Sequence, residues 1–363
     1  MANHSAEVPA LPACKTITRG LKAFIIFSVM GILLGLWWKR PDNIAGMIAH
    51  LDWKFVALVI PLVGLDYLLG GLRYRIFFDG KMLPIISMWN CMRSNWANIF
   101  MGAATPFQTG GGAAQIYLLW RYGARISDGM LISLLNWVAT LFFFMISTVF
   151  AVILLPADLF GNNFTQLIRS GFIFIGGFAG LLILILAFPA IGLVIIKQFF
   201  RLIPLRHEKY GAFRQRALIK LNNEVNSFQL ALKQILQLKM WSLPVVILTT
   251  VALFSNKYLI GYAIARGLGY SVPFGPFIGL QIIQLFLIYF APTPGASGMA
   301  ELSSVWLMGK ILPPSVLLVY AIMVRFFTTI CGAIIGSVVL MNEMRQMTRH
   351  NVNEDAITKS AHP

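Results

Sequence analysis

Two proline- and glycine-rich stretches interrupt apolar sequence and carry residues suited to binding an anion. The first, residues 104–115, reads ATPFQTGGGAAQ, and the second, residues 291–301, reads APTPGASGMAE. Each contains Thr-Pro, becomes rich in small residues and ends in a polar side chain. A helix that begins after such a break leaves unpaired N–H groups with partial positive charge, which suits a phosphate. We therefore expect a lipid phosphate to bind where the two stretches meet.

Glu301 and Arg325 are isolated charges beside long apolar runs. Because a charge at the bilayer centre costs at least about 2.5–3.5 kcal/mol, it usually has a partner or faces a polar cavity. We expect the two side chains to pair at rest, with a phosphate competing with Glu301 for the guanidinium. A permanent structural salt bridge is the alternative. Arg93, with Asn90, Asn95 and Asn98 nearby, is the basic candidate at the first stretch.

The predicted head-group ligands come from both stretches and from these charges. They are Arg93, Thr105, Pro106, Gln108, Gly110, Gly111, Gln115, Thr293, Pro294, Gly295, Ser297, Gly298, Glu301 and Arg325. Glycine lets the chain turn and lets a ligand approach the backbone, although close helix packing would also explain the glycines. Asp66 is expected to pair with Arg93 or Arg73 in a structural role. Lys257 either snorkels or faces the cavity.

Composition restricts the class of protein. The 363 residues are 58% hydrophobic and 12% charged, which indicates a polytopic membrane protein. The net charge of +16 is better explained by an anionic membrane surface than by nucleic acid, which is not an expected partner. The three cysteines and five histidines form no ligand pattern, so we expect neither a metal nor a cofactor.

The elements that must position these residues are predicted to be helices throughout. Six apolar runs are long enough to span a bilayer, at 21–38, 54–72, 129–155, 170–196, 241–265 and 315–341. The regions around the two stretches, 82–122 and 274–309, are predicted to be re-entrant hairpins of two half-helices. With cytoplasmic termini, this arrangement places most lysines and arginines inside, as the positive-inside rule requires.

The resulting topology divides the chain into two membrane halves of opposite orientation, an inverted repeat. Residues 1–20 form a cytoplasmic tail, 21–155 the first half, 170–341 the second half, and 342–363 a mobile polar cytoplasmic tail. The basic amphipathic segment 199–239 is predicted to be an interfacial helix, and the basic residues of 197–239 are predicted to face an anionic leaflet. The sequence leaves the oligomeric state open.

The two stretches resemble the signatures of the lysylphosphatidylglycerol synthase transmembrane region family, whose members are also described as flippase-like. The first signature is carried by Thr105 to Gly111 with Gln115 to Leu119 and Gly123, and the second by Pro292 to Gly298 with Glu301. Arg325 matches an arginine of the last span. The resemblance covers about residues 20–341 and implies a membrane protein that moves or binds a lipid, without the soluble synthase domain.

We therefore expect a protein of the bacterial cytoplasmic membrane that binds or translocates a phospholipid or a lipid-linked anionic head group. The alternatives are a secondary transporter of a small anionic solute and a non-catalytic partner of a lipid-modifying enzyme. An enzyme is not expected. The segment Gly295 to Gly298 matches the Gly-x-Ser-Gly of intramembrane serine proteases, but no later span carries a histidine to serve as general base.

Overall fold

The computed structural model describes residues 51–81, 83–156 and 240–360, and isolated positions within 22–33, 173–180 and 230–237. Within these ranges the chain forms nine α-helices, which we number in order. They are α1 (Trp53–Arg75), α2 (Met88–Ala104), α3 (Thr109–Arg121), α4 (Ile126–Leu154), α5 (Ser242–Gly267), α6 (Phe274–Tyr289), α7 (Met299–Met308), α8 (Pro314–Arg325) and α9 (Cys331–Ser360).

Four helical segments of the described residues are long and apolar enough to cross a bilayer. They are Trp53–Arg75, Ile126–Ala151, Ser242–Gly267 and Pro314–Gln346, where a π-helical turn, Phe326–Ile330, joins α8 to α9. These segments confirm the predicted spans at 54–72, 129–155, 241–265 and 315–341, and with them an all-α polytopic membrane protein. The other two predicted spans, 21–38 and 170–196, the N-terminal tail and most of the basic segment lie outside the described residues.

Each predicted hairpin consists of two helices separated by a short 3₁₀ turn. We call the turn Pro106–Gln108, between α2 and α3, the first break, and the turn Pro294–Ala296, between α6 and α7, the second break. The helices before the breaks have 17 and 16 residues. These lengths lie at the lower edge of the roughly 17–25 residues of a crossing helix, and re-entry from one side of the membrane stays a prediction.

Equivalent helices of the two halves make equivalent contacts with the opposite half. Helix α1 packs on α5, α2 on α9, α4 on α6, and the two breaks contact each other. Several contacts depend on small residues: a side chain at Gly336 of α9 would collide with the Trp96 carbonyl, and one at Gly261 of α5 with Gln281. Two similar halves would produce this pattern, although their opposite orientation in a membrane stays a prediction.

The C-terminal helix extends further than the sequence indicated. A mobile tail was expected from residue 342, whereas α9 continues to Ser360. Near the start of this segment, Glu343 is only 5% exposed and lies against α2 and α3. Its carboxylate contacts Arg93 at 2.7 Å and Arg121 at 3.7 Å, so the start of the predicted tail belongs to the packed fold.

Candidate functional site

The two breaks share one backbone conformation. The residue after each proline is left-handed, with φ 51° and ψ 18° at Phe107 and φ 56° and ψ 22° at Gly295. The next residue is left-handed too, with φ 55° at Gln108 and φ 58° at Ala296. An extended threonine precedes each proline, and its carbonyl accepts the N–H three residues later. Two distant segments therefore fold into the same turn.

The glycines after the first break pack helices and do not make the turn. A side chain at Gly110 would collide with Thr105, and one at Gly111 with the side chain and carbonyl of Asn98, whereas Gly112 has open space beside it. The left-handed positions of the first break belong to non-glycine residues. The glycines instead let α3 approach α2 closely, which was the alternative to the predicted turning role.

A cavity of about 240 Å³ lies between the breaks and is lined by both halves of the chain. Its walls come from α1, α2, α5, α6, α7, α8, the π-helical turn Phe326–Ile330 and the two breaks. The polar lining residues are Asp66, Arg73, Asn95, Asn98, Gln108, Lys257, Gln281, Gln284, Ser304, Arg325, Thr328 and Thr329. Because non-helical backbone at membrane depth persists only around protein or a polar cavity, this location accounts for both breaks.

Arg325 forms the expected ion pair beside the second break. Its Nε lies 3.3 Å from Glu301 Oε1, and the side chains are 8% and 3% exposed. The Arg325 Nη2 donates to the Gly295 carbonyl and, at 3.3 Å, to the Ser297 hydroxyl. Glu301 lies in the first turn of α7, where its Oε2 accepts the Gly298 N–H at 2.7 Å. The break, the carboxylate and the guanidinium therefore form one connected unit.

A second ion pair crosses between the halves in the cavity wall. Lys257 Nζ of α5 lies 2.8 Å from Asp66 Oδ2 of α1. Asp66 is 3% exposed. The expectation that Asp66 pairs with Arg93 or Arg73 is wrong, because the packing of α1 on α5 places Lys257 next to the Asp66 carboxylate. Lys257 thus faces the cavity, which was one of the two possibilities left open by the sequence.

Arg73 lies at the end of α1 and also reaches the cavity. Its Nε donates to Asn136 Oδ1 at 3.0 Å, and its Nη2 donates to the Asn136 carbonyl at 2.5 Å and to Thr140 Oγ1 at 2.8 Å. Both partners belong to α4 and are neutral. The guanidinium is therefore held in a fixed orientation by acceptors that leave its charge uncompensated.

The structure brings only part of the predicted ligand set to the cavity. Gln108, Gly295 and Arg325 line it, and the Gln108 amide donates across the halves to the Ile288 carbonyl at 3.4 Å. The other predicted residues of the second break, which support the wall without lining it, are Thr293, Pro294, Ser297, Gly298 and Glu301.

The remaining predicted residues lie away from the lining. Thr105 Oγ1 accepts the Gly110 N–H at 2.8 Å and, like Pro106, shapes the first break. Gly111 packs against Asn98 of α2. Gln115 is buried in a network in which Tyr74 and Asn98 donate to its oxygen and its amide donates to Ser133. These contacts satisfy Gln115 within the protein.

Arg93 also lies away from the cavity, in a cluster around Glu343. In addition to the ion pair, the Arg93 guanidinium lies over the Tyr122 ring at 5.6 Å, and the Tyr122 hydroxyl donates to Glu343 at 3.2 Å. This cluster ties α9 to α2 and α3. A role for Arg93 in head-group binding stays a prediction.

Sequence reasoning missed Arg73 as a cavity residue and Glu343 as a buried partner. Arg73 follows directly after the predicted span 54–72, and Glu343 follows the predicted span 315–341, so hydropathy places both residues outside the bilayer. A helical projection would have offered a signal for Arg73, because it lies seven residues after Asp66, on the same face of α1.

Comparison with known proteins agrees with a membrane protein. Residues 23–336 match the family model described as lysylphosphatidylglycerol synthase TM region. The chain is similar to a UPF0104 membrane protein of Archaeoglobus fulgidus, with 24% identity over 304 residues that cover 80% of this chain and 87% of the relative. The matched region contains both breaks, the cavity and both of its ion pairs. The chain belongs to the lysylphosphatidylglycerol synthase transmembrane region family.

Proposed function

We propose that this protein binds the anionic head group of a phospholipid or lipid-linked molecule in the cavity between the breaks and moves it across the cytoplasmic membrane. The observation that carries the proposal is Arg325, a cavity-lining guanidinium only 7% exposed and shared between Glu301 and the Gly295 carbonyl. A buried cation that reaches a polar cavity at membrane depth is a site for an anion. No chemical step is needed for this function.

The geometry around Glu301 allows a phosphate to take its place. If a phosphate oxygen approaches Arg325, the displaced carboxylate keeps the Gly298 N–H as a donor and remains at the positive end of α7. The exchange therefore leaves neither Arg325 nor Glu301 without an electrostatic partner. This reduces the penalty of breaking a buried ion pair, which is otherwise several kcal/mol, of order 3–5.

The size of the cavity supports a head group as its occupant. Its volume of about 240 Å³ is below the roughly 300–1,000 Å³ that is typical of drug-sized ligands. A phosphate with a small substituent fits such a space, with acyl chains left outside among the apolar helix faces. The family description, which names a lipid-synthase membrane region, supports a lipid-related role.

The test is translocation of fluorescently labelled anionic phospholipid in proteoliposomes, followed by chemical quenching of the label in the outer leaflet. Native protein should accelerate flipping, and Arg325→Ala and Glu301→Gln should both reduce it. Arg266→Gln is the matched control, because Arg266 lies at the end of α5, bonds Ser271 and does not line the cavity.

Extracted lipids should be identified by mass spectrometry in parallel. Retained anionic lipid without flipping would indicate a lipid-binding partner of another protein. Uptake of a soluble phosphate ester without lipid flipping would indicate a transporter of small anions. If native protein neither flips nor retains lipid, the proposal is wrong.

A further inference from the structure

We infer that Arg73 is the residue of the cavity that binds the anion, and that the group it recognises carries one net negative charge. This rests on the proposed function, since it identifies which cation the head group neutralises. It assigns the ligand role to a residue at the end of α1, between the two halves of the chain, and not to the Arg325–Glu301 pair alone.

The inference begins with the charges that line the cavity. They are Asp66, Arg73, Lys257 and Arg325. Lys257 is neutralised by Asp66, and Arg325 by Glu301, which lies just behind the wall. One positive charge, that of Arg73, remains. The other polar lining groups are carboxamides and hydroxyls, which add hydrogen-bonding capacity and no charge.

Arg73 has no carboxylate partner in the described part of the chain, where its hydrogen bonds go to Asn136 and Thr140. The two apolar segments outside it, 21–38 and 170–196, contain no aspartate or glutamate. Neither of these two segments can therefore supply a counter-charge. An uncompensated guanidinium that is partly buried among helices is costly, so an external anion that reaches the cavity gains free energy by neutralising it.

The contacts of Arg73 with α4 hold its guanidinium in position for such a ligand. The Nε and Nη2 donors are engaged by Asn136 and Thr140, while Nη1 makes no hydrogen bond to any described residue. A planar guanidinium fixed along one edge presents its remaining donors in a set direction, which suits a phosphate oxygen.

The single excess charge sets the class of ligand. A phosphodiester whose substituent is uncharged brings one negative charge and leaves the cavity neutral. A zwitterionic head group adds an ammonium to a cavity that already contains an excess cation. We therefore expect phosphodiesters with neutral, hydroxyl-bearing substituents to bind in preference to zwitterions, with the surrounding carboxamides as hydrogen-bonding partners.

The experiment measures binding to the full chain in neutral detergent micelles. The probes are dihexanoyl phosphatidylglycerol, with one net negative charge, dihexanoyl phosphatidylcholine, with none, and soluble glycerophosphoglycerol, a phosphodiester with one negative charge. Native protein should bind the anionic lipid at least about tenfold more tightly than the zwitterion, as expected for one charge-assisted contact. Arg73→Gln should abolish that preference, Arg73→Lys should retain part of it, and Arg266→Gln should leave it unchanged.

The outcomes separate this inference from the proposed function. If native protein and Arg73→Gln show equal preference for the anionic lipid, the inference is overturned while lipid binding stands. If native protein binds neither lipid, both fail. Equally tight binding of glycerophosphoglycerol would support the anion site and show that its ligand is a soluble phosphodiester. The thermal unfolding midpoint of each variant without lipid shows whether the variant is folded. If Arg73→Gln does not fold, Arg73→Lys still tests the inference.

Discussion

The two breaks have one backbone shape and different chemistry. The first break uses side chains: Gln108 reaches across to the other half, and Phe107 is 61% exposed. The second break uses its backbone: the Gly295 carbonyl accepts from Arg325, and the residues of the turn are buried. The comparison teaches that the Thr-Pro turn is a scaffold on which each half places a different kind of polar contact.

The largest difference between the breaks should concern stability. Arg325→Ala or Glu301→Gln leaves one buried charge uncompensated, and we expect a loss of about 3–5 kcal/mol in the free energy of unfolding. Gln108→Ala at the first break removes one long hydrogen bond to Ile288 and should cost less than about 1 kcal/mol. Unfolding in mixed micelles of mild detergent and dodecyl sulfate measures these values.

The double variant Arg325→Met with Glu301→Gln is the control for this prediction. It removes both charges and should recover much of the stability lost by either single variant, because no uncompensated charge remains. Equal losses at the two breaks, or additive losses in the double variant, would contradict the asymmetry.

An intermediate effect is expected within the glycine run after the first break. Gly111→Ala places a methyl group against Asn98 and should destabilise the protein by about 1–3 kcal/mol. Gly112→Ala meets open space within α3 and should stabilise it by about 0.5–1 kcal/mol. The same unfolding assay checks both changes. If both substitutions are neutral, α3 is not held against α2 as tightly as the structure indicates.

The smallest effect concerns the left-handed residue of each turn. Phe107→Gly should stabilise the protein by up to about 1 kcal/mol, because glycine adopts a φ of 51° without steric cost and the aromatic ring is largely exposed. Gly295→Ala should destabilise it by about 1–2 kcal/mol at a φ of 56°. If both substitutions change the free energy of unfolding in the same direction, the left-handed conformation is not present at both turns.

The sequence predicted the fold better than the site. Hydropathy predicted the four described spans because each is a continuous apolar run, and the Thr-Pro motifs located both breaks. The pairing of Glu301 with Arg325 was predictable because an unpaired charge within a membrane span is costly, and such charges usually pair with one another. The turn conformation of the first break was not predictable, since Phe107 and Gln108 adopt a conformation that their residue types disfavour.

Contacts between distant helices were the part that sequence reasoning could not supply. Asp66 and Lys257 are 191 positions apart, and only the packing of α1 on α5 brings them together. Arg73 and Glu343 lie just past the ends of the predicted spans 54–72 and 315–341, because a span predicted from hydropathy ends near the first charged residue. In the fold, neighbouring helices extend the buried region past those points.

The most direct test of the central claim is the reactivity of a thiol placed in the cavity. Ser304 lines it and is 2% exposed, whereas the adjacent Ser303 does not line it and donates to the Ala300 carbonyl. In a chain with Cys14, Cys91 and Cys331 replaced by alanine, Ser304→Cys should react with an anionic methanethiosulfonate faster than with a cationic one, relative to a free thiol. Dihexanoyl phosphatidylglycerol should protect it, and Ser303→Cys should react slowly with both reagents. Equal reaction of the two variants, or a preference of Ser304→Cys for the cationic reagent, would contradict a shared anion-binding cavity between the breaks.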